Sequence, residues 1–291
     1  MRRTTSEGMR SLFDAQREGR EAANSPAMSL LARAGYVTKG VVYLIVGGLS
    51  ARVALGDGGS TTDRNGALRA IHEQPFGRFL LVVVAVGLIA FALWSMIQAL
   101  LDPEREGTGT SGIIARLGYA AVGVSYAALG LAAIQLVLGS GNGGASSDTT
   151  THDWTARLLG LPFGPVLVIV VGIIVIGVAG YLLYLAYAAD FRDRLTLNDV
   201  DNRVRAWVIA LGRAGYAALG VVFSIVGIFL IVAALRDNAE QSKSLGGALH
   251  ELAREPYGHV VLGAVALGLI AYGLYSLTEA RYRRLGSTRS T

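Results

Sequence analysis

The chain has no cysteine, which excludes disulfides, thiolate metal sites and cysteine nucleophiles. Only 16% of its 291 residues are charged, whereas an average soluble domain has roughly 25%. Prolines number six, and none interrupts a long apolar run. The first 26 residues are polar and basic and lack the apolar core of a cleavable signal peptide, so we expect the first apolar run to direct insertion. These absences together favour a membrane protein.

The scarcity of charge is concentrated in six apolar runs. Each is about 18 residues or longer, which lets a helix cross a hydrocarbon core of roughly 30 Å. Soluble helices of this length normally keep a polar face, so the runs predict six membrane-spanning helices. The predicted spans are Val37–Leu55, Phe79–Leu101, Ile113–Leu138, Val166–Ala189, Val208–Leu235 and Val260–Leu277.

Lysine and arginine are unevenly divided between the two sides of these spans. The side that holds both termini carries 17 and the other side 8, while Lys39 lies inside the first span. Because cytoplasmic segments are enriched in these residues, both termini are predicted to be cytoplasmic. The isoelectric point near 9.6 is thereby explained by topology, and no nucleic-acid partner is expected.

One pattern, R-x-G-Y-x3-G-x2-[Y/F]-x3-G, opens three of the six runs, and a Pro-aromatic-Gly turn precedes each of the others. The openings begin at Arg33, Arg116 and Arg213. The turns begin at Pro75, Pro162 and Pro256. Since two crossings return the chain to its starting side, the three units share one orientation about an axis along the membrane normal. The predicted fold is an all-α integral membrane protein with a pseudo-threefold bundle of six helices; an irregular serial arrangement of repeats is the alternative.

Short segments that mix alanine and leucine with charge precede the turns, and they predict short helices at the outer interface. These segments are Asn65–Gln74, Asp153–Gly160 and Gly247–Glu255. The connector at 191–206 is expected to be a solvated helix. The N-terminal tail at 1–26 is expected either to stay flexible or to dock on a partner or on the membrane. The chain divides into an N-terminal tail (1–26), repeat 1 (27–103), repeat 2 (104–190), a connector (191–206), repeat 3 (207–285) and a C-terminal tail (286–291).

The three openings, the three turns and the two-helix unit resemble the DUF1206 family of bacterial membrane proteins. The resemblance covers 33–284, nearly the whole chain, and its motifs are structural. It implies a bacterial inner-membrane protein with three tandem two-helix repeats, and it implies no catalytic chemistry.

Basic and aromatic residues at the repeat openings are the first candidates for binding lipid or anions. Arginines facing inward would form a ring for phosphate or carboxylate, whereas arginines facing outward would reach anionic headgroups. The tyrosines are expected in an interfacial aromatic belt. Lys39 is charged within a span but can extend its ammonium to the surface, and Val122 and Leu219 replace it in the other repeats. The candidates are Arg33, Arg116, Arg213, Lys39, Tyr36, Tyr119 and Tyr216.

Glycines seven residues apart in each opening helix share a face and predict close helix packing. They are Gly40, Gly47, Gly123, Gly130, Gly220 and Gly227. Gln98 and Gln135 are expected to bridge helices. No paired acidic residues or histidines are recognised within the spans, which argues against an ion-coupled transporter.

No enzyme is predicted, because the chain lacks G-x-S-x-G, a Walker A loop and paired carboxylates within the membrane. The stretch Gly139–Gly144 is glycine-rich but lacks the lysine and strand that a phosphate loop requires. The histidines match no metal-ligand spacing and are expected to be solvated at the outer face. They are His72, His152, His250 and His259.

The leading hypothesis is therefore a non-enzymatic inner-membrane scaffold or accessory subunit of a larger membrane complex, with lipid as a further ligand. The alternative is a channel or pore along the repeat axis, which the arginine triplet would bias towards anions. A third hypothesis is histidine-based cofactor binding at the outer face. No metal or cofactor is expected; the partners expected are membrane lipids, another membrane complex and further copies of the chain.

The predicted orientation can be measured with reporter fusions. A phosphatase that is active only outside the cytoplasm should stay inactive when fused after Thr291 and become active when fused within the loop after Leu55. The reverse pattern would contradict the predicted orientation.

Overall fold

The computed structural model describes residues 25–56, 63–101, 109–139, 147–196 and 200–283. Within these ranges nine α-helices form, together with two 3-10 turns at Asp190–Arg194 and Ala239–Gln241. The helices are α1 (Pro26–Ala54), α2 (Arg64–His72), α3 (Gly77–Leu101), α4 (Thr110–Leu138), α5 (Ser147–Leu159), α6 (Gly164–Ala188), α7 (Asn202–Leu235), α8 (Leu245–Arg254) and α9 (Gly258–Tyr282).

Six of these helices are long and apolar enough to cross a membrane, which confirms the predicted six-span, all-helical fold. They are α1, α3, α4, α6, α7 and α9. All six begin earlier than predicted, α1 and α7 by more than one turn, and α9 continues to Tyr282, past the predicted end at Leu277. Hydropathy places a boundary at the first charged residue, whereas a helix continues where that charge has a partner. The predicted last span therefore stopped just short of Glu279.

Two short helices on the side opposite the termini, α2 and α8, begin directly after residues suited to capping. Asp63 accepts a hydrogen bond from the Gly66 N–H at 2.8 Å and so caps α2. Ser244 caps α8 by accepting from the N–H groups of Gly246 and Gly247. These caps satisfy backbone donors that have no partner within their own helix.

The Pro-aromatic-Gly turns have one geometry in all three repeats. The aromatic residue is left-handed each time, with φ of 63° at Phe76, Phe163 and Tyr257. Such a backbone is uncommon for residues other than glycine. The following glycine allows close approach: a Cβ on Gly77 would collide with backbone carbonyls at the end of α2. The motif therefore encodes a tight joint between each short helix and the span that follows.

Helix packing follows the repeat in a cyclic pattern. The most extensive contacts join the second span of one repeat to the first span of the next: α3 with α4, α6 with α7, and α9 with α1. The last of these closes the ring. Within a repeat, α1 packs on α3 and α7 packs on α9, but in the described residues α4 and α6 make almost no contact. All three contacts between repeats are therefore present, whereas the contact between the two spans of a repeat is missing from the described residues of repeat 2.

The short helices α2 and α8 do more than lie at an interface. Leu68 of α2 and Leu249 of α8 are fully buried, because the apolar faces of these helices pack against the end of the bundle. The connector also differs from the predicted solvated helix: Phe191 and Leu195 are buried, and Leu195 pairs with Arg283 in an isolated bridge. Apolar side chains interleaved with the connector's charges hold it against the bundle. Residues 1–24 of the predicted N-terminal tail (1–26) and the whole predicted C-terminal tail (286–291) lie outside the described residues.

The six glycines singled out by their spacing each face a neighbouring helix of another repeat. A Cβ on Gly40 would lie 2.8 Å from the carbonyl oxygen of Gly273, and one on Gly130 would lie 2.7 Å from Ile89. The equivalent positions Gly123, Gly220 and Gly227 are similarly close to a neighbour, and Gly47 lies against α9.

Replacing Gly40 with alanine should lower the free energy of unfolding by about 1–3 kcal/mol, because α1 and α9 would have to separate. The control is Gly177→Ala on α6, where no atom of the described ranges lies within 4 Å of the added Cβ. That change should be neutral or stabilising by up to about 1 kcal/mol through helix propensity. Thermal unfolding in detergent measures both variants, and a destabilisation of equal size in the two would contradict the role given to the α1–α9 contact.

Candidate functional site

A charged triad lies inside the bundle where the last span meets the first. The Nζ of Lys39 on α1 is 2.8 Å from Oε2 of Glu279 on α9, and Nη1 of Arg283 is 2.7 Å from Oε1 of the same carboxylate. Lys39 and Glu279 are 6% and 2% exposed. We refer to Lys39, Glu279 and Arg283 as the ionic cluster. Each carboxylate oxygen of Glu279 thus has a cationic partner, as a buried charge requires.

Aromatic rings surround the ammonium group of Lys39. Its Nζ is 4.8 Å from the centre of the Tyr36 ring, 5.3 Å from Phe91 and 5.1 Å from Tyr272. Arg283 lies over the other part of this shell, 5.0 Å from the Tyr36 ring. Aromatic faces attract cations, and more strongly where water is excluded. Lys39 therefore does not extend to the surface, contrary to the expectation from sequence.

Phenol groups continue from the ionic cluster towards the opposite side of the bundle. Lys39 Nζ lies 3.5 Å from the Tyr272 hydroxyl, and the Tyr272 ring is 4.9 Å from that of Tyr43. Tyr43 in turn interacts with Tyr126 through its side chain. Arg64 lies 5.6 Å from the Tyr126 ring. We call Tyr272, Tyr43 and Tyr126 the phenol column; it joins the ionic cluster to Arg64.

Arg64 is the first residue of α2 and lies beside the end of the phenol column. Its Nη1 donates to the Ser125 hydroxyl at 3.2 Å. Although burial alone would lower it, the pKa of Arg64 is raised by electrostatic interaction with Tyr43, Tyr126 and Asp63. Arg64 therefore remains a cation at any physiological pH. The capping residue Asp63 positions it, because α2 begins directly after Asp63.

The sequence carried a signal for this site that hydropathy did not use. The pattern [F/Y]-x2-[W/Y]-S-x2-[Q/E] occurs in the second span of repeats 1 and 3, ending at Gln98 and Glu279 respectively. In repeat 2 the corresponding position is Leu185. Because hydropathy ends the predicted last span at Leu277, Glu279 was not recognised as the counterpart of Gln98. Comparing the repeats position by position would have placed Glu279 in the membrane beside Lys39's helix.

The arginine triplet lies on the side of the bundle that holds both described ends of the chain. Arg116 donates from Nε to the carbonyl of Ala99 at 2.7 Å and from Nη2 to that of Leu100 at 3.0 Å. Arg213 donates to the carbonyl of Tyr187 at 3.2 Å. These carbonyls end the preceding repeat's second span, where cations are favourable. Arg33 and Arg213 remain largely exposed.

The three tyrosines of the openings do not form a uniform interfacial belt. Tyr36 is buried against Phe91, with ring centres 5.1 Å apart. Tyr216 contacts Tyr272 at 5.5 Å and Tyr275 at 5.6 Å. The belt expectation is therefore wrong for these two, because their rings fill the space beside the ionic cluster. Tyr119, in repeat 2, is only partly buried.

Repeat 2 differs from its neighbours at the contact between its two spans. In repeats 1 and 3 the opening glycine touches the second span: a Cβ on Gly35 or Gly215 would lie about 2.7 Å or closer to the backbone of Phe91 or Tyr272. Among the residues that the structure describes, no atom lies within 4 Å of a Cβ added to the corresponding Gly118. Val178 occupies the position in α6 that Phe91 and Tyr272 occupy in α3 and α9. Its side chain is 43% exposed, whereas those of Phe91 and Tyr272 are 5% and 9% exposed.

The four histidines are not gathered into a site. His152 Nε2 lies 2.7 Å from the carbonyl of Ser242, while His250 and His259 are exposed. Within the described ranges no group of three histidine, aspartate or glutamate side chains is placed to hold a metal ion. This geometry gives the histidine-based cofactor hypothesis no support.

Three tandem stretches of the chain, residues 34–102, 117–189 and 214–283, match the family described as Domain of Unknown Function (DUF1206). The chain therefore belongs to the DUF1206 family, and the matches coincide with the three structural repeats. It is also 31% identical over 266 residues to the uncharacterized protein YxxB of Bacillus subtilis (strain 168), covering 89% of this chain and 93% of that protein. No solved structure matches the chain.

Replacing Glu279 with glutamine should lower the free energy of unfolding by about 3–5 kcal/mol, because two buried cations lose their carboxylate. Glu251→Gln is the matched control: its carboxylate pairs with Lys243 at 3.2 Å but is 29% exposed. A partly exposed pair of this kind is worth about 0–1 kcal/mol. Thermal and denaturant unfolding in detergent compare the two variants. Equal losses would show that the ionic cluster is not held in a low-dielectric interior.

Proposed function

We propose that this protein is a non-enzymatic scaffold or accessory subunit of the bacterial inner membrane, with both termini in the cytoplasm. Its partner is another membrane protein, which docks a transmembrane helix between α4 and α6. The observation that carries the proposal is the missing contact within repeat 2.

The repeat itself indicates what belongs in that position. In repeats 1 and 3, the face that bears the opening glycine is covered by a helix of the same repeat, and the backbones touch at Gly35 and Gly215. The same face of α4 bears Gly118, and no helix of the described residues lies against this glycine. A surface built to receive a helix backbone at two equivalent positions supports the same kind of occupant at the third.

The surface of α6 is consistent with an incoming helix. In the described part of the chain nothing lies within 4 Å of a Cβ added to Gly177 or Gly180, and Val178 between them is exposed. Small residues allow two helix backbones to approach, and in a bilayer this packing supplies the attraction that the hydrophobic effect supplies in water. Lipid chains can cover an apolar helix face that lacks glycines as well as a protein helix can. The two exposed glycines therefore favour a protein helix, whose backbone can approach closely.

Membrane lipids are proposed as additional ligands on the side of the termini. Arg33 and Arg213 are exposed there, and Trp207 and Tyr187 are exposed near the ends of α7 and α6. Arginine beside exposed aromatic rings suits the headgroup region of an anionic leaflet. This lipid contact would orient the bundle without requiring a pocket.

Passage of anions along the repeat axis is the second candidate function. The observation that favours it is the row of cations, Arg64, Lys39 and Arg283, along the phenol column. Aromatic side chains fill the space between them, so passage would require these rings to move. Chloride and nitrate flux into vesicles containing the purified protein tests this function directly.

Cysteine cross-linking can test the scaffold proposal cleanly, because the chain has no native cysteine. Gly118→Cys and Val178→Cys, treated in native membranes with a cysteine-directed photo-cross-linker, should each yield one discrete adduct heavier than the 30.5 kDa chain. Leu267→Cys and Phe79→Cys are matched controls, since both side chains are exposed on other spans. These controls should yield none, and mass spectrometry of the adduct identifies the partner.

Two results would count against the scaffold proposal. Equal adducts at all four positions would indicate random encounter in the bilayer. An adduct of twice the chain's own mass would place a second copy in repeat 2 and remove the separate partner.

A further inference from the structure

The three Pro-aromatic-Gly turns carry aromatic rings that the packing of the bundle does not use. Phe76, Phe163 and Tyr257 are 85%, 82% and 85% exposed. Their rings therefore gain almost no packing energy within the described chain. Three equivalent positions, one in each repeat, share this property, so it belongs to the repeat and not to one irregular loop.

The backbone at these positions suits a different kind of residue. Each aromatic residue has φ of 63°, where glycine and asparagine are the ordinary choices. Each also begins its span, since its carbonyl accepts from the N–H four residues later at 3.1 to 3.2 Å. Asparagine, serine or aspartate in such a position would cap a backbone donor, whereas Phe163 and Tyr257 provide no side-chain cap. The turn gains nothing from the rings, so their benefit lies outside the chain.

Each ring begins the exposed apolar stripe of the span that follows it. In all three repeats the residues three and four positions after the ring are exposed, and the residue five positions after it is buried. The exposed residues are Phe79, Leu80, Val166, Leu167, Val260 and Val261, and the buried ones are Leu81, Val168 and Leu262. Exposed apolar residues on a span are covered by lipid chains, and helical spacing places the rings on the same side.

The length of the spans places the rings in the polar boundary of the bilayer. The helices α3, α6 and α9 each have 25 residues and begin directly after the aromatic residue. Such a helix rises about 37 Å, whereas the hydrocarbon core is roughly 30 Å thick and the bilayer with its headgroups about 40–45 Å. A centred helix therefore starts within the headgroup layer. That layer suits Tyr257, and the two phenylalanines can reach the adjoining acyl boundary.

We propose that Phe76, Phe163 and Tyr257 insert into the lipid leaflet on the side opposite the termini and fix the depth and tilt of the bundle. Three anchors on three repeats define a plane, so the bundle can neither sink nor lean without moving a ring out of the boundary layer. The occupant is lipid, because each ring continues a lipid-covered stripe, and a single protein partner would have to encircle the bundle to cover all three.

The turns are tight enough to transmit this anchoring to the bundle. The glycine after each ring donates its N–H to the carbonyl three residues earlier, at 2.7 to 2.8 Å. A Cβ on Gly164 or Gly258 would collide with carbonyls at the end of the preceding short helix, as one on Gly77 would. The ring is thus held between a span and a short helix, and Leu68 and Leu249 fix two of those short helices to the bundle.

This anchoring is independent of the partner helix at repeat 2. Cross-linking at Gly118 and Val178 measures a different surface, so either proposal can fail while the other stands. It is also independent of which face of the membrane holds the termini, because the rings are defined by the side opposite to them.

The depth of the rings can be measured with nitroxide labels, because the chain has no native cysteine. Phe76→Cys, Phe163→Cys and Tyr257→Cys are labelled singly in the full chain and reconstituted in phosphatidylcholine vesicles. Power saturation then compares the access of oxygen, which enriches in the hydrocarbon, with that of a water-soluble nickel chelate. Leu267→Cys and Arg254→Cys bracket the scale, since Leu267 is exposed ten residues into α9 and Arg254 is exposed before the turn.

All three labels should report one depth, between those of the two references. Nickel access equal to that at Arg254 would overturn the proposal and leave the rings for a protein partner in water. Three clearly unequal depths would also overturn it, because the anchors would not define one level.

The second experiment removes all three rings together. The triple variant Phe76→Asn, Phe163→Asn, Tyr257→Asn should not unfold at a lower temperature in detergent, since asparagine suits both the left-handed backbone and the cap. A clear fall would show that the rings pack within the chain, which would overturn the proposal. A matched triple variant with tryptophan at the same positions keeps the rings at the same backbone cost.

The readout is a spin label at Leu267→Cys, followed in vesicles of dimyristoyl and of dioleoyl phosphatidylcholine. With the native rings or with tryptophan, the nickel access of this label should be the same in both bilayers, because the anchors hold its distance from the headgroup boundary. In the asparagine variant the nickel access should shift with bilayer thickness. The same behaviour in the asparagine and tryptophan variants would overturn the proposal.

Discussion

The ion pair between Lys39 and Glu279 is the constraint on which the closed part of the bundle depends. The two residues lie 240 positions apart, on the first and last spans, and meet at 2.8 Å. Neither charge is stable alone inside a membrane protein, so each requires the other span to be adjacent. This requirement selects one neighbour for α1 among the five other spans. Arg283 and the Tyr36 ring then fix the height at which the two helices meet.

Close backbone approach is what makes this pair possible. Gly40 follows Lys39 directly, and Gly273 follows Tyr272, the phenol that Lys39 contacts. A Cβ on either glycine would lie 2.8 Å from the carbonyl oxygen of the other. Small residues bring α1 and α9 together through dispersion, and the shortened separation places the ammonium group within reach of the carboxylate. Packing and electrostatics therefore act at the same point of the ring and reinforce each other.

The sequence was sufficient to predict everything that depends on local pattern. Six spans, three repeats, the Pro-aromatic-Gly joints and the glycine faces follow from periodicity and spacing, because they concern residues close together in the chain. The ionic cluster did not follow, since Lys39 looked isolated and Glu279 lay beyond the predicted end of its span. A charged residue near the end of an apolar run marks the predicted end of the span unless its partner is known. The partner of Glu279 is Lys39, which is close only in the folded structure. The opening within repeat 2 was equally hidden, because Gly118 matches Gly35 and Gly215 in sequence and differs from them only in its surroundings.

The three repeats have divided two roles between them. Repeats 1 and 3 keep the polar pattern that ends in Gln98 and Glu279, and their spans supply most of the rings around Lys39. Repeat 2 has Leu185 at that position and Val122 in place of Lys39, so its spans carry no counterpart of the ionic cluster. The Lys39–Glu279 pair joins α1 to α9, which belong to different repeats, and the equivalent contacts of α3 with α4 and of α6 with α7 form without a corresponding lysine. The ionic cluster therefore strengthens the contact that closes the ring between repeats 3 and 1, whereas the backbone contacts at Gly35 and Gly215 are what distinguish the closed repeats from repeat 2.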